Sequence, residues 1–559
     1  MPKAKTRRTS SAFPTSRSPN LPTAAALTIE AYEQGELGER SRAEELYRQA
    51  IRVDPHLAAA WLGLGREFKL KNDDDEWYRC LLRCVAEADR AVRAFPGERP
   101  SHVARSLAHC DLYRPEESVD SARRALEISP GASLHSQMFF LMNFLSGNTP
   151  EAHFAEACRW NALYAAPLAR QARPYRNMVD PGRPLKIGYV SPDLYAHPVA
   201  KFLLPVFEFH DRSQFALTAY SVGRTTDVFT DMLRSRVESF VPCPDSGPAL
   251  EERIRADGID ILVDLAGHTM PTEQFLVFAQ KPAPIQVSWL GVLSTTGLQT
   301  MDYFLGNAVV PYPGTEACFS ETVYRLPRAP YCYRAPMDAP VEPSPCLERG
   351  YITFGSFSNP AKIGREAVRV WAEVLRSVPG SRILLKYRAM DTEVMRDRYQ
   401  GWFRKEGISA ERVQFEGRDN LKEYLASYGR IDIALDPFPY QGGATTMDTL
   451  WMGVPMVAMD GRLAVQRAST GILKLVGLED MVAESPAQYV KAAQFLAGIV
   501  GKIPELRRNV RKALQSSPLM DETGFTRELE AAYRDMWQIW CRKQSAGSGE
   551  PGKSEIFRA

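Results

Sequence analysis

The sequence predicts a helical repeat segment followed by two doubly wound α/β lobes. Three observations predict it. Small residues and prolines recur at a fixed offset through the first 130 or so residues. From about Pro184, short β-branched or aliphatic runs alternate with helical patterns. That alternation stops at a Pro- and Cys-containing stretch, roughly Arg334 to Arg349, and then starts again.

The chain has 559 residues, net charge +2, 45% hydrophobic and 24% charged residues, which suits a soluble protein of roughly three or four domains and gives no basic excess for nucleic acid. Residues 1–22 are basic, Ser/Pro-rich and free of acids; Pro14 and Pro19 rule out an amphipathic transit helix, so disorder is expected there. No apolar run reaches membrane-spanning length and no apolar signal core opens the chain. The nine cysteines lack CxxC pairs, and Cys80 and Cys84 share a helix face without a histidine, so they are expected to be buried reduced thiols of a cytoplasmic protein.

In the repeat segment, Ala43, Tyr47, Ala50 and Pro55 match the second-helix half of a tetratricopeptide repeat, and Trp61, Leu64, Gly65 and Phe68 match the first-helix half of the next. Later copies end in Ala88, Ala91 and Pro96, displaced by an insert carrying Asp73, Asp74 and Asp75, and in Ala122, Ala125 and Pro130. The acidic insert reads as a solvated loop. Small residues let paired helices approach and each proline ends a unit. Such stacks bind extended peptides or partner proteins, or serve structure alone.

Buried parallel strands are expected within 185–191, 215–222, 259–267 and 284–291 of the first lobe, and within 351–357, 381–387, 412–417, 430–436 and 455–460 of the second. Two such lobes bring strand C-termini to one cleft, where open α/β sheets bind ligands. The predicted boundaries are 1–22 for the tail, 23–165 for repeats and connecting helices, 184–345 and 350–515 for the lobes, 516–545 for a C-terminal helix and 546–559 for a second loose tail.

The most informative segment is ALDPFPYQGGATTMDTLWMGVP at 434–455. A strand ends at Asp436, the chain turns through Gly442 and Gly443, and a helix restarts at Ala444 with Thr445, Thr446 and Asp448 in its first turns. Glycines allow close backbone approach, while unpaired helix N–H groups and the dipole favour an anion. The pattern reads as a phosphate cradle with a ribose-binding carboxylate at Asp448; an ordinary strand-to-helix turn capped by threonine has the same letters. His197 follows the first strand and Lys362 follows the first strand of the second lobe, where a point charge can meet a diphosphate. A lysine there can also be a solvated helix-start residue. Beyond residue 160 the only histidines are His197, His210 and His268, and no DxD occurs. Phosphate charge would then fall to protein groups, with no metal.

KIGYVSPDLYAHPVAKFLLP (186–205), GIDILVDLAGHT (258–269), KPAPIQVSWLG (281–291), TTGLQTMDY (295–303), FGSFSNPAKI (354–363), LDPFPYQGGATTMDTLWMGVPMV (435–457) and SSPLMDETGFTRELEAAYRDMW (516–537) follow one another. In this order they resemble the bacterial branch of the O-linked N-acetylglucosamine transferase family, the O-GlcNAc transferase/SPINDLY group. Its members join tetratricopeptide repeats to a GT-B catalytic region, and the resemblance covers nearly everything from residue 30 to 540.

The resemblance implies inverting, metal-independent transfer of a sugar from a UDP-sugar to Ser/Thr hydroxyls of protein acceptors, with no cofactor. It implies that Lys362 meets the β-phosphate, that Gly442, Gly443, Ala444, Thr445 and Thr446 surround the phosphates with Asn359 nearby, and that Asp448 holds the ribose. Tyr424 would stack beside uracil, backbone near Asp419 would read the base, His197 would line the sugar and acceptor side as the candidate base, and His268 would share that side or be structural. Animal members carry a tyrosine before the equivalent lysine, where this chain has Ala361, and His-Thr-Thr where it has Gly443, Ala444 and Thr445. N-acetylglucosamine, glucose from UDP or fucose from GDP therefore all stay open as donors. Retention of Lys362, Thr445, Thr446, Asp448 and His197 favours an enzyme over a repeat-based interaction protein that binds nucleotide with little turnover; a non-protein acceptor is the nearer enzyme alternative.

Overall fold

The computed structural model describes residues 21–170, 173–243, 247–503 and 505–547. The basic tail expected up to residue 22 lies outside them except for its last two residues, which open a helix, and the second tail lies outside them from 548 on. The chain divides into two compact units, one running to Met142 and including Asp391–Arg398, the other comprising Asn143–Met390 and Tyr399 onward.

The first unit contains the helices Leu21–Glu36, Arg40–Val53, Ala58–Leu70, Asp74–Ala94, Arg99–Asp111, Pro115–Ile128 and Ala132–Met142, each packed on its neighbour in sequence. The small residues of the repeat pattern sit where helices meet: Ala43, Ala50, Ala88, Ala122 and Ala125 are wholly buried. A Cβ on Gly65 would stand 3.1 Å from the Cys80 Cβ, so the glycine sets the spacing of two helices. The acidic insert differs from expectation. Asp73 is a helix cap, its carboxylate accepting the Glu76 N–H at 3.1 Å, and Asp74, Asp75 and Glu76 form a first turn that the helix dipole favours.

All nine cysteines are among the described residues and unbridged. Cys80, Cys84, Cys332 and Cys541 are buried as expected, and burial pushes the Cys80 and Cys84 thiols up to about 12. Cys158 is exposed, because it points away from the Pro150, His153, Ala157 and Trp160 stripe that buries its helix, Pro150–Trp160; the remaining four are half-buried. No described helix is long and apolar enough to cross a membrane.

The first lobe holds a seven-stranded sheet, β1 (Leu185–Ser191), β2 (Phe215–Ser221), β3 (Ser239–Pro242), β4 (Ile261–Asp264), β5 (Ile285–Ser288), β6 (Tyr303–Gly306) and β7 (Thr322–Arg325), in the order β3-β2-β1-β4-β5-β6-β7. In the second lobe β8 (Thr353–Ser356), β9 (Arg382–Lys386), β10 (Val413–Glu416), β11 (Ile433–Leu435), β12 (Met456–Met459) and β13 (Val482–Ala483) follow the order β10-β9-β8-β11-β12-β13. Every pairing is parallel. Central strands such as β4 and β8 are buried at every residue, as a sheet covered on both faces requires. Each expected run contains a strand; β3, β6, β7 and β13 are additional. Strand order reverses between β1 and β4 and again between β8 and β11, the two places where such sheets open a crevice beyond their strand ends.

The chain passes between the lobes twice. The first crossing, after β7, and the second, before the helix Glu522–Gly547, meet where the Tyr333 N–H donates to the Leu519 carbonyl at 2.7 Å and Arg334 pairs with Glu522. That helix returns to the first lobe: the Tyr533 and Tyr189 hydroxyls meet at 3.2 Å, His210 Nδ1 lies 3.1 Å from Glu530, and Trp537 donates to the Asp180 carbonyl at 2.9 Å.

Candidate functional site

Strands β8 and β11 are neighbours at the second lobe's switch point, and the loops leaving their C-termini form the core of the site. After β11 the chain passes Asp436, turns, and enters the helix Ala444–Trp451 with Gly443 as its cap residue. Gly442 is required there by contact, since a Cβ would lie 2.5 Å from Thr446 Oγ1 and 2.7 Å from Thr445 Oγ1. Gly443 is different: a Cβ on it would have nothing within 4 Å, and no side chain caps the helix, which leaves its first-turn N–H groups without an intrahelical partner. The two threonines diverge. Thr446 is 1% exposed and its hydroxyl meets Ser469 Oγ at 2.7 Å, while Thr445 stays half-exposed beside the open helix end.

After β8, Asn359 caps a short turn by accepting the Ala361 N–H at 2.9 Å, which delivers Lys362 to the cradle. Lys362 Nζ donates to the Gln441 carbonyl at 2.7 Å and stands 4.1 Å from the Tyr440 ring centre. Gln441 is itself fixed, donating to the Met459 carbonyl at 2.6 Å and accepting the Thr470 N–H at 3.1 Å. Burial pushes the Lys362 ammonium down toward neutrality and the neighbouring Asp436 carboxyl up, and each charge opposes the other's shift. Asp436 also accepts the Gly442 N–H at 3.1 Å. Sequence reasoning read Asp436 only as the end of a strand; its place directly after β11 was the available signal.

Asp448 is 5% exposed, with Tyr333 donating to one carboxylate oxygen at 2.8 Å and Tyr424 to the other at 3.3 Å. Burial raises its pKa, while the Lys201 charge and the two hydroxyls act against that rise. Tyr424 and Tyr428 touch through their hydroxyls at 2.8 Å, and Phe357 packs 4.6 Å from the Tyr428 ring and 6.4 Å from that of Tyr424, making an aromatic wall. The Asp419 carboxylate is tied to Lys386 at 2.5 Å. A cavity of about 20 Å³, room for roughly one water, lies beneath the cradle among Ser356, Tyr428, Asp436, Thr445 and Thr446.

In the first lobe, His197 caps the helix Pro198–Phe209. Its Nδ1 accepts the Val199 N–H at 3.4 Å and lies 3.8 Å from Asp193. Burial lowers the imidazole pKa, with Asp193 opposing. With Nδ1 as acceptor, the neutral ring carries its proton on Nε2. His268 sits in the short turn Gly267–Thr269 after β4. It is 6% exposed, its Nε2 donates to the Thr296 carbonyl at 2.9 Å, and its ring packs 4.8 Å from both Trp160 and Phe275, the surroundings of a structural histidine. Among the described residues, no group of three or more His, Cys, Asp or Glu could hold a metal ion.

The pattern of glycosyl transferase family 41 matches residues 150–332 and 346–529. A probable UDP-N-acetylglucosamine–peptide N-acetylglucosaminyltransferase SPINDLY of Solanum lycopersicum is 35% identical over 74% of this chain and 45% of its own, and that of Oryza sativa is 34% identical over 76% and 46%. The chain thus spans less than half the length of these relatives. The solved structure of a lysine-to-methionine variant of the Thermobaculum terrenum O-GlcNAc transferase is 31% identical and superposes with a TM-score of 0.84, covering 95% of this chain and 100% of that one.

Proposed function

The chain belongs to glycosyl transferase family 41, with the GT-B arrangement of two Rossmann-like lobes after tetratricopeptide-type helices, and from that premise we propose that it is an inverting, metal-independent glycosyltransferase. The donor is a UDP-sugar, N-acetylglucosamine first among them, and the acceptors are Ser/Thr hydroxyls of proteins engaged through the helical repeats. The observation that carries this reading is the half-buried Lys362 ammonium, held 2.7 Å from the Gln441 carbonyl beside the N-terminus of the helix Ala444–Trp451.

In the reaction an acceptor oxygen bonds to the anomeric carbon from the face opposite the leaving group. The bond from that carbon to the β-phosphate oxygen breaks, its electron pair leaves on UDP, and the hydroxyl proton passes to a base. Lys362 and the first-turn N–H groups stabilise the charge gathering on the diphosphate, and being fixed beforehand they need little rearrangement. Thr445 adds a hydroxyl at the mouth, and Thr446 meets Ser469, which donates to the Gly442 carbonyl and so braces the turn from behind. Asp448 holds the ribose, Tyr424 stacks on the base, and backbone near Asp419 reads it. In the tautomer described, His197 is a donor to the sugar or phosphate; accepting the acceptor's proton requires the other tautomer and loss of its capping bond.

A different donor is the second reading, favoured by the open space at Gly443, which leaves the sugar end of the cradle loosely bounded. The unbridged thiols fit a reducing compartment, and work in the cytoplasm is part of the proposal. Calorimetric titration with UDP, GDP and their sugar conjugates in the presence of a chelator tests the scheme. Binding of UDP and transfer without divalent metal are expected; an absolute magnesium requirement would contradict it.

A further inference from the structure

The two oxygens of Asp448 are held unequally. Oδ1 accepts the hydroxyl of Tyr333 at 2.8 Å, and Tyr333 is 2% exposed, 115 positions away in sequence, and pinned by its own N–H to the Leu519 carbonyl. Oδ2 accepts the hydroxyl of half-exposed Tyr424 at 3.3 Å, a longer contact from a side chain that also bonds Tyr428. One oxygen is therefore fixed from a rigid chain crossing. The other is held by a group within reach of a ligand.

We propose that Tyr333 is a positioning residue of the donor site: its hydroxyl fixes Asp448 Oδ1 so that Oδ2 meets the ribose hydroxyls in one orientation, and the Tyr424 hydroxyl holds Oδ2 only until the nucleotide replaces it. This rests on reading Asp448 as the ribose contact. A buried carboxylate with a single strong anchor keeps its plane, and hydrogen bonds to its ionised form keep it an acceptor against the effect of burial. The other groups facing it are Lys201 from the helix Pro198–Phe209 and Tyr428 beside Tyr424, with Arg511 acting on Tyr333. Lys201 favours the charged carboxylate but is a flexible point charge, and cannot orient it.

The test is calorimetric titration of the full chain and its Tyr333→Phe variant with UDP and with 2′,3′-dideoxyuridine diphosphate. The wild type is expected to bind UDP more tightly than the dideoxy nucleotide. Tyr333→Phe is expected to weaken UDP about tenfold, or ~1.4 kcal/mol, while leaving the dideoxy nucleotide unchanged. In turnover the same variant raises KM for the donor and keeps kcat. Equal weakening of both nucleotides would mean a structural role and overturn the proposal, as would unaltered UDP binding. A wild type that binds both nucleotides equally would instead overturn the ribose reading of Asp448. Tyr424→Ala gives the parallel measurement: a loss with both nucleotides is expected, through stacking, and a loss confined to UDP would assign the orienting role to Tyr424 and overturn the proposal.

Discussion

Lys362 Nζ reaches 2.7 Å from the carbonyl oxygen of Gln441, 79 positions away, joining the loop after β8 to the turn after β11. This contact aims a cation at the cradle, with the Asp436 carboxylate as its neighbouring charge. Lys362→Ala is expected to lower kcat by about 10²–10³-fold, the usual loss when a fixed charge at a developing anion is removed. Circular dichroism and the melting temperature should stay close to wild type, because removing a half-buried ammonium also removes the cost of its partial desolvation. Lys362→Arg restores charge but not the compact shape, and partial recovery is expected.

The paired glycines should respond in opposite ways. Gly442→Ala forces a methyl against both threonine hydroxyls, and UDP affinity is expected to fall at least tenfold, ~1.4 kcal/mol. Gly443→Ala meets open space, and UDP affinity should stay close to wild type. Larger residues at 443 are expected to alter the ranking of donor sugars in a competition assay while leaving UDP affinity alone.

His197 joins two roles that substitution can separate. His197→Ala is expected to lower kcat by about 10²-fold and to cost about 1 kcal/mol of stability through loss of the helix cap. His197→Asn keeps a capping oxygen and should recover the stability without the rate. Rate and melting curves on the same two variants check this.

At the back of the first lobe, Glu530 accepts from His210 and from the Asp211 N–H at 2.6 Å. Burial holds the His210 pKa below its ordinary value. The unfolded chain therefore binds the extra proton first, and stability should begin to fall as pH drops below about 6.5. For Glu530, burial acts upward but the hydrogen bonds from His210, Asp211 and Arg527 prevail and lower its pKa. Its contribution is present above the ordinary carboxylate range near ~4.3 and is lost as pH falls further. Glu530→Gln is expected to cost about 1–3 kcal/mol at neutral pH, and His210→Gln to flatten the thermal midpoint between about pH 5 and 7.

How far the sequence could be read depended on the range of the interaction. The strands from β1 to β12 that pack on both faces announce themselves as continuous apolar runs, whereas β6 and β7 are four residues each among prolines and glycines, and β7 is half-exposed. The cradle was legible because Asp436 to Asp448 are consecutive. Its partners were legible only in part: Lys362 and His197 sit at strand ends, but Tyr333 belongs to a proline-rich crossing without periodicity, and nothing local links it to Asp448. Asp73 shows the same limit at short range, since an acidic run reads equally as a loop or as a helix start.

The two crossings are pinned together where the Tyr333 N–H donates to the Leu519 carbonyl, a geometry that would let the lobes rock about one line. Rocking about that line would open the mouth of the cleft while moving the pivot least, and Tyr333 at the pivot is bonded to Asp448. In the proposed reaction the nucleotide end of the pocket would then keep its size as the lobes swing, so that UDP would remain seated while an acceptor enters or leaves at the far side.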